Sequence, residues 1–94
     1  MFEWLNKQGV RSSEGFEVQC ISRYEMEYRE GNNVLTLEGD IGKSGGKACF
    51  ILDKSSIDYW DNDIMKRDFS DEKKQKILGN FILALNFQNV NVVY

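Results

Sequence analysis

From Phe16 to Arg23 apolar and polar residues alternate, with Phe16, Val18 and Cys20 on one side and Glu17, Gln19 and Arg23 mostly on the other. That is the period of a strand with one face on a core. The alternation resumes from Tyr24 to Glu30, setting Tyr24, Met26 and Tyr28 against Glu25, Glu27 and Arg29. Gly31-Asn32-Asn33 predicts a hairpin turn, because these residues tolerate positive φ. Val34 to Glu38 returns as the partner strand with Leu35 and Leu37 inward. Gly39 to Lys47, rich in glycine and charge, predicts a loop. Ala48 to Asp53 then reads as a central strand, and Ser56 to Trp60 as a short strand or edge segment.

Periodicity changes after Phe69. Ser70 followed by Asp71 and Glu72 predicts an N-cap with acids in the first turn, where the helix dipole favours them. Ile77, Leu78, Phe81, Ile82 and Leu85 recur at three- and four-residue spacing and give one apolar face to a helix from Asp71 to Phe87. Asn86 or Asn89 can end it, and Val90 to Tyr94 resumes a strand pattern. At the other terminus Phe2 to Gln8 predicts one or two helical turns closing on the core through Trp4 and Leu5. The expected fold is α+β: residues 1–94 as a single domain, a small antiparallel sheet of four to six strands, one long C-terminal helix packed on it, and a short N-terminal helical turn.

Composition narrows the chemistry. The 94 residues include no histidine and no proline. Without histidine, general acid–base work, nucleophile activation and metal ligation lose their commonest side chain. Cys20 and Cys49 lie far apart, each in an apolar stretch, with no C-x-x-C pair, and are expected as reduced, packed thiols. Met1-Phe2-Glu3-Trp4-Leu5 has neither the basic start nor the long apolar run of a signal peptide, and no stretch matches a membrane span, so a cytoplasmic location is expected.

Two strings invite a chemical reading. Gly39-Asp40-Ile41-Gly42-Lys43-Ser44 ends like a phosphate-binding loop, yet Leu37 stands where the first glycine is required and a strand follows where a helix is needed. A solvated hairpin loop is the expectation. An EF-hand loop starting at Asp61 would meet Met65 and Lys66 at positions that need an oxygen ligand and a glycine. Carboxylate pairs such as Glu25 and Glu27, or Asp61 and Asp63, would need a cleft that a domain this small scarcely has room for. The expectation is therefore a protein without enzymatic activity, cofactor or metal.

Charge is the remaining signal. The formal net charge is −3, but it is unevenly spread. Glu25 to Asp40 carries five carboxylates against Arg29, and Asp53 to Asp63 four against Lys54, whereas Lys66 to Lys76 has five bases against three acids. Acidic surfaces steer basic partners, and aromatic side chains beside them supply anchoring area. Glu25, Glu27, Asp58, Asp61 and Asp63 are the candidate charges, with Tyr59 or Trp60 as the anchor. Read only as local structure, the same residues are solvated turns, with one aromatic turned into the core.

A wider pattern joins these segments. Trp4-Leu5, Gly9-Val10-Arg11, Tyr28-Arg29-Glu30-Gly31, Ser56-Ile57 with Trp60 three residues on, Ser70-Asp71-Glu72-Lys73, Ile77-Leu78-Gly79-Asn80 and Leu83 to Leu85 follow in an order that resembles the immunity protein 74 family of bacterial polymorphic toxin systems. The resemblance spans most of the chain and rests on spaced single residues. It implies a small cytoplasmic antidote that binds a cognate toxin domain, often a nuclease, and blocks its active site or a surface the toxin needs. It does not say which positions touch the toxin. A general interaction or self-associating domain is the alternative, using an exposed strand edge.

Overall fold

A computed structural model describes all 94 residues. Seven strands form one curled sheet in sequence order: β1 (Phe2–Asn6), β2 (Gly9–Ser12), β3 (Phe16–Ser22), β4 (Glu25–Glu30), β5 (Asn33–Ser44), β6 (Lys47–Leu52) and β7 (Asn91–Val93). Neighbours from β1 to β6 are antiparallel. Helix α1 (Asp71–Phe87) then crosses the inner face and returns the chain as β7, parallel to β6. The α+β class holds, with more strands than the four to six expected and one parallel pair.

Helix α1 has the predicted bounds, and both ends show why. The Ser70 hydroxyl accepts from the Lys73 amide at 3.1 Å, with Asp71 and Glu72 in the first turn. At the far end Asn89 takes φ +61, the Asn89 amide reaches the Asn86 carbonyl and the Val90 amide the Leu85 carbonyl. That pair of bonds closes the helix in a Schellman motif with asparagine in the left-handed position. Ile77, Leu78, Phe81, Ala84 and Leu85 are buried against Val10, Val18, Tyr28, Leu35, Leu37 and Phe50. Burying each large apolar side chain contributes about 1.5–3 kcal/mol, which far exceeds the helix's intrinsic propensity.

Three local expectations are corrected. There is no N-terminal helical turn: Phe2–Asn6 is a strand, pairing Phe2 with Ser12 and Trp4 with Val10. Phe2 meets Phe16 and Phe87 at 5.8 and 5.4 Å between ring centroids, and Trp4 meets Phe87 at 5.6 Å. So short a segment gains little as a helix, where nucleation dominates, and more from a ladder that places alternate aromatics on one face.

The second correction is Gly39–Lys47. It continues β5 up to Ser44 and turns only at Gly45 and Gly46, with φ +60 and +81, a turn chemistry suited to hairpins. Gly39 marks the place where β5 leaves β4 and joins β6, since its amide bonds Tyr24 while its register partner is Leu52. A Cβ there would lie 2.7 Å from the Phe50 ring, so glycine lets the ring cross the strand. The charge that suggested a loop is accommodated outside, where Arg23 donates to Asp40 at 2.9 Å.

Third, Ser56–Trp60 forms no strand. A 3-10 turn over Lys54–Ser56, capped by the Asp53 carboxylate, leads into an irregular segment along the open edge of β5. The Ser56 hydroxyl accepts from the Glu38 amide at 3.1 Å, and the Asp61 amide donates to the Val34 carbonyl at 2.7 Å. The segment covers an edge that would otherwise be free to pair with another chain.

Candidate functional site

The face of the sheet away from α1 carries the charges. Strand registry sets Glu3, Arg11, Glu17 and Arg29 in one row across β1 to β4, and Gln19, Glu27 and Thr36 in the next across β3 to β5. Arg11 reaches Glu17 at 2.9 Å and Glu3 at 3.6 Å, and Arg29 reaches Glu27 at 2.7 Å. The Glu17 bond and charge raise the Arg11 pKa further above its already high ordinary value. Glu27 is thus half of an ion pair. Pairs this exposed contribute little to stability, because solvent screens them.

Glu25 stands differently. It lies directly opposite Glu38 on β5, and neither carboxylate belongs to any of the molecule's ion pairs. Its one side-chain bond is a long one, 3.5 Å from the Ser22 hydroxyl. Like charges set opposite each other across a ladder are unfavourable.

The Asp58–Asp63 candidates divide by direction. Trp60 turns inward, stacked on Tyr28 at 6.3 Å and edge-on to Phe69 at 5.0 Å, with the Lys73 ammonium 5.5 Å from its ring. Tyr59 and Asp58 are half-buried, and Asp58 accepts from the Tyr59 amide at 2.6 Å. Asp61 turns outward, accepting from the Thr36 hydroxyl at 2.6 Å, which joins it to the row containing Glu27. Asp63 works within its own turn: it accepts from the Met65 and Arg67 amides and from the Arg67 guanidinium at 3.1 Å. The Arg67 bond, aided by those amides, holds the Asp63 carboxyl below its ordinary value. The structure therefore brings Glu25, Glu27 and Asp61 onto one face and leaves Trp60 and Asp63 as supports.

A second constellation escaped the sequence reading. On the inner side the Tyr28 hydroxyl donates to Glu30 at 2.6 Å and accepts from the Asn80 amide at 2.9 Å, while Lys73 donates to Glu30 at 2.6 Å. Glu30, Lys73 and Asn80 line one wall of an open cleft of about 600 Å³ between α1, β1 and the β2–β3 turn, with Tyr28 buried behind them. The available signal was Asn80, a polar residue between the buried Ile77 and Phe81 on an otherwise apolar helix face. Every side chain in the network already has a partner, and burial, more than the Glu30 bond, pushes the Tyr28 pKa upward, away from a reactive phenolate.

Cys20 is half-buried and Cys49 buried, and both are free thiols. Burial raises the Cys20 pKa, which disfavours the thiolate. No three acidic or cysteine side chains converge as metal ligands would, and no helix is long and apolar enough to cross a membrane. No family model, curated protein or solved structure matches this chain.

Proposed function

We propose that the chain is an immunity protein that neutralises a cognate bacterial toxin domain by stoichiometric binding, the role its resemblance to the immunity protein 74 family implies. The observation that carries the reading is the Glu25–Glu38 pair: two exposed carboxylates face each other across β4 and β5, and neither is engaged in an ion pair. Such an arrangement costs the free protein stability and is relieved by a basic partner. Glu27 and Asp61 extend the same surface. A nuclease domain, which must bind phosphates, presents the complementary charge. Opposite potentials also raise the association rate, which suits an antidote that must meet its toxin before damage is done.

The test is to co-express the chain with the toxin domain encoded next to it. Restored growth together with a stable complex on size exclusion supports the reading. Failure of both with every neighbouring candidate overturns it.

A further inference from the structure

Beside the β4–β5 turn, the segment Asp61–Arg67 holds two aliphatic side chains out in water. Ile64 is 94% and Met65 73% exposed, and neither packs against the core. The loop that carries them is nonetheless tied down at several points. The Asp61 amide bonds the Val34 carbonyl, and the Asn62 side chain donates to the Asn32 carbonyl at 3.1 Å and accepts from the Val34 amide at 3.3 Å. Asp63 gathers the Met65 and Arg67 amides, and the Phe69 amide closes the far stem on the Asp58 carbonyl at 2.7 Å. Between them Lys66 adopts φ +51, a left-handed conformation that a lysine takes only under constraint.

A mobile tip bearing two apolar side chains would lose much conformational freedom on docking. A stapled one loses little, so its apolar area is available for binding. The loop also continues the acidic face: Asp61, one bond from Thr36 and the Glu27 row, stands three residues before Ile64. Interfaces are commonly built in this way, with an apolar centre and a polar rim.

We propose that Ile64 and Met65 are the apolar anchor of the toxin interface and insert into an apolar pocket on a basic surface of that domain, with Asp61, Glu27 and Glu25 meeting the surrounding cations. The assignment rests on the immunity reading and names the place where it acts. A second copy of the chain is a poorer occupant. Its formal net charge is −3, so Asp61, Glu27 and Glu25 would meet no excess of cations on it.

The experiment uses the full chain and the purified toxin domain encoded beside it, comparing the wild type with the double variant Ile64→Ser, Met65→Ser. Both positions are solvent-facing, so the thermal midpoint should be unchanged and folding is checked at the same time. The dissociation constant is expected to rise roughly 30-fold or more, mainly through faster dissociation, because removing a hot spot acts on the bound state. Binding of the double variant within about threefold of the wild type would overturn this inference while leaving stoichiometric inhibition intact. Absence of binding by the wild type itself would remove the immunity reading, and the anchor with it. Concentration-dependent dimers of the wild type alone that disappear in the double variant would assign the loop to a second copy and overturn the toxin assignment.

Discussion

The hydroxyl of Tyr28 donates to the carboxylate of Glu30, two residues along β4 on the same inner face, at 2.6 Å. Asn80 and Lys73 complete the contact from α1, so this short polar chain fastens the helix to the strand within an otherwise apolar layer. Breaking it should be costly, because the partly buried Asn80 amide is left without its acceptor and Glu30 with one bond fewer. Tyr28→Phe is expected to lower the unfolding free energy by about 1–3 kcal/mol, read from urea denaturation with an unchanged m-value. Lys73→Met should act in the same direction by leaving the Glu30 charge without its cation.

Alkaline pH probes the same contact. Burial, then the bond to Glu30, raises the Tyr28 pKa above its ordinary value of 10.0. A raised value means that the neutral form favours the folded state. The contribution is fully present below pH 10, and is lost as pH rises from there through the folded value. The denaturation midpoint of the wild type should therefore fall more steeply above about pH 10 than that of Tyr28→Phe, whose position 28 cannot ionise. Parallel profiles would show that the hydroxyl is not coupled to folding.

The elements found by reading the sequence are those whose causes are local. Helix α1 declares itself through Ser70, two acids and a three-four apolar rhythm, all within one stretch of chain. The alternation from Phe16 to Glu30 is equally local, except at Tyr24, expected on the inner face with Met26 and Tyr28 but exposed in the turn between β3 and β4. Phe2–Asn6 is not, because what makes it a strand is Val10 and Ser12 beside it and Phe87 across the core. Gly39–Ser44 misled for a related reason: glycine and charge mark loops on average, but here the glycine admits the Phe50 ring and Asp40 finds Arg23 in the β3–β4 turn. In the candidate site, the acidity of the β4–β5 hairpin was readable as composition, whereas its neutralisation was only partly so. Whether Trp60 faces out or in depends on Tyr28, and the opposition of Glu25 to Glu38 depends on register.

The close passage at Gly39 gives a stability prediction. Its added Cβ would sit 2.7 Å from the Phe50 ring and closer still to the Ile51 carbonyl, a backbone atom that cannot simply rotate away. Gly39→Val is expected to destabilise by about 1–3 kcal/mol or more, through the strain of overpacking. Gly42→Val, where the nearest atom lies at 3.7 Å, should cost much less. Equal effects at the two positions would place the cause in strand propensity and not in the crossing ring.

Lys66 offers the opposite sign. Its φ of +51 is strained for a lysine and relaxed for glycine, so Lys66→Gly should raise the thermal midpoint, by the equivalent of about 0.5–1 kcal/mol. Asp63 holds the same turn through its carboxylate, whose pKa lies below the ordinary 3.8. A depressed value means the turn gains from the ionised form above pH 3.8 and loses that gain as pH falls through the lower, folded value. Amide signals of Met65 and Arg67 in NMR should therefore keep their positions down to about pH 4 and shift only below it.

Glu25 and Glu38 separate stability from binding. Replacing one carboxylate by a cation turns a like-charge pair into an opposite one on an exposed ladder, so Glu25→Lys should stabilise the free protein by about 0.2–1 kcal/mol. Against a basic toxin domain the same change removes one attractive charge and adds a repulsive one. The association rate should fall by roughly tenfold at low ionic strength and recover toward the wild-type value as salt screens the field, with the dissociation rate altered less. Stopped-flow association at several salt concentrations measures the second effect and thermal unfolding the first. A variant that is more stable and associates more slowly would show that the uncompensated pair is kept for the partner. A variant that gains stability and loses nothing in association would remove Glu25 from the interface.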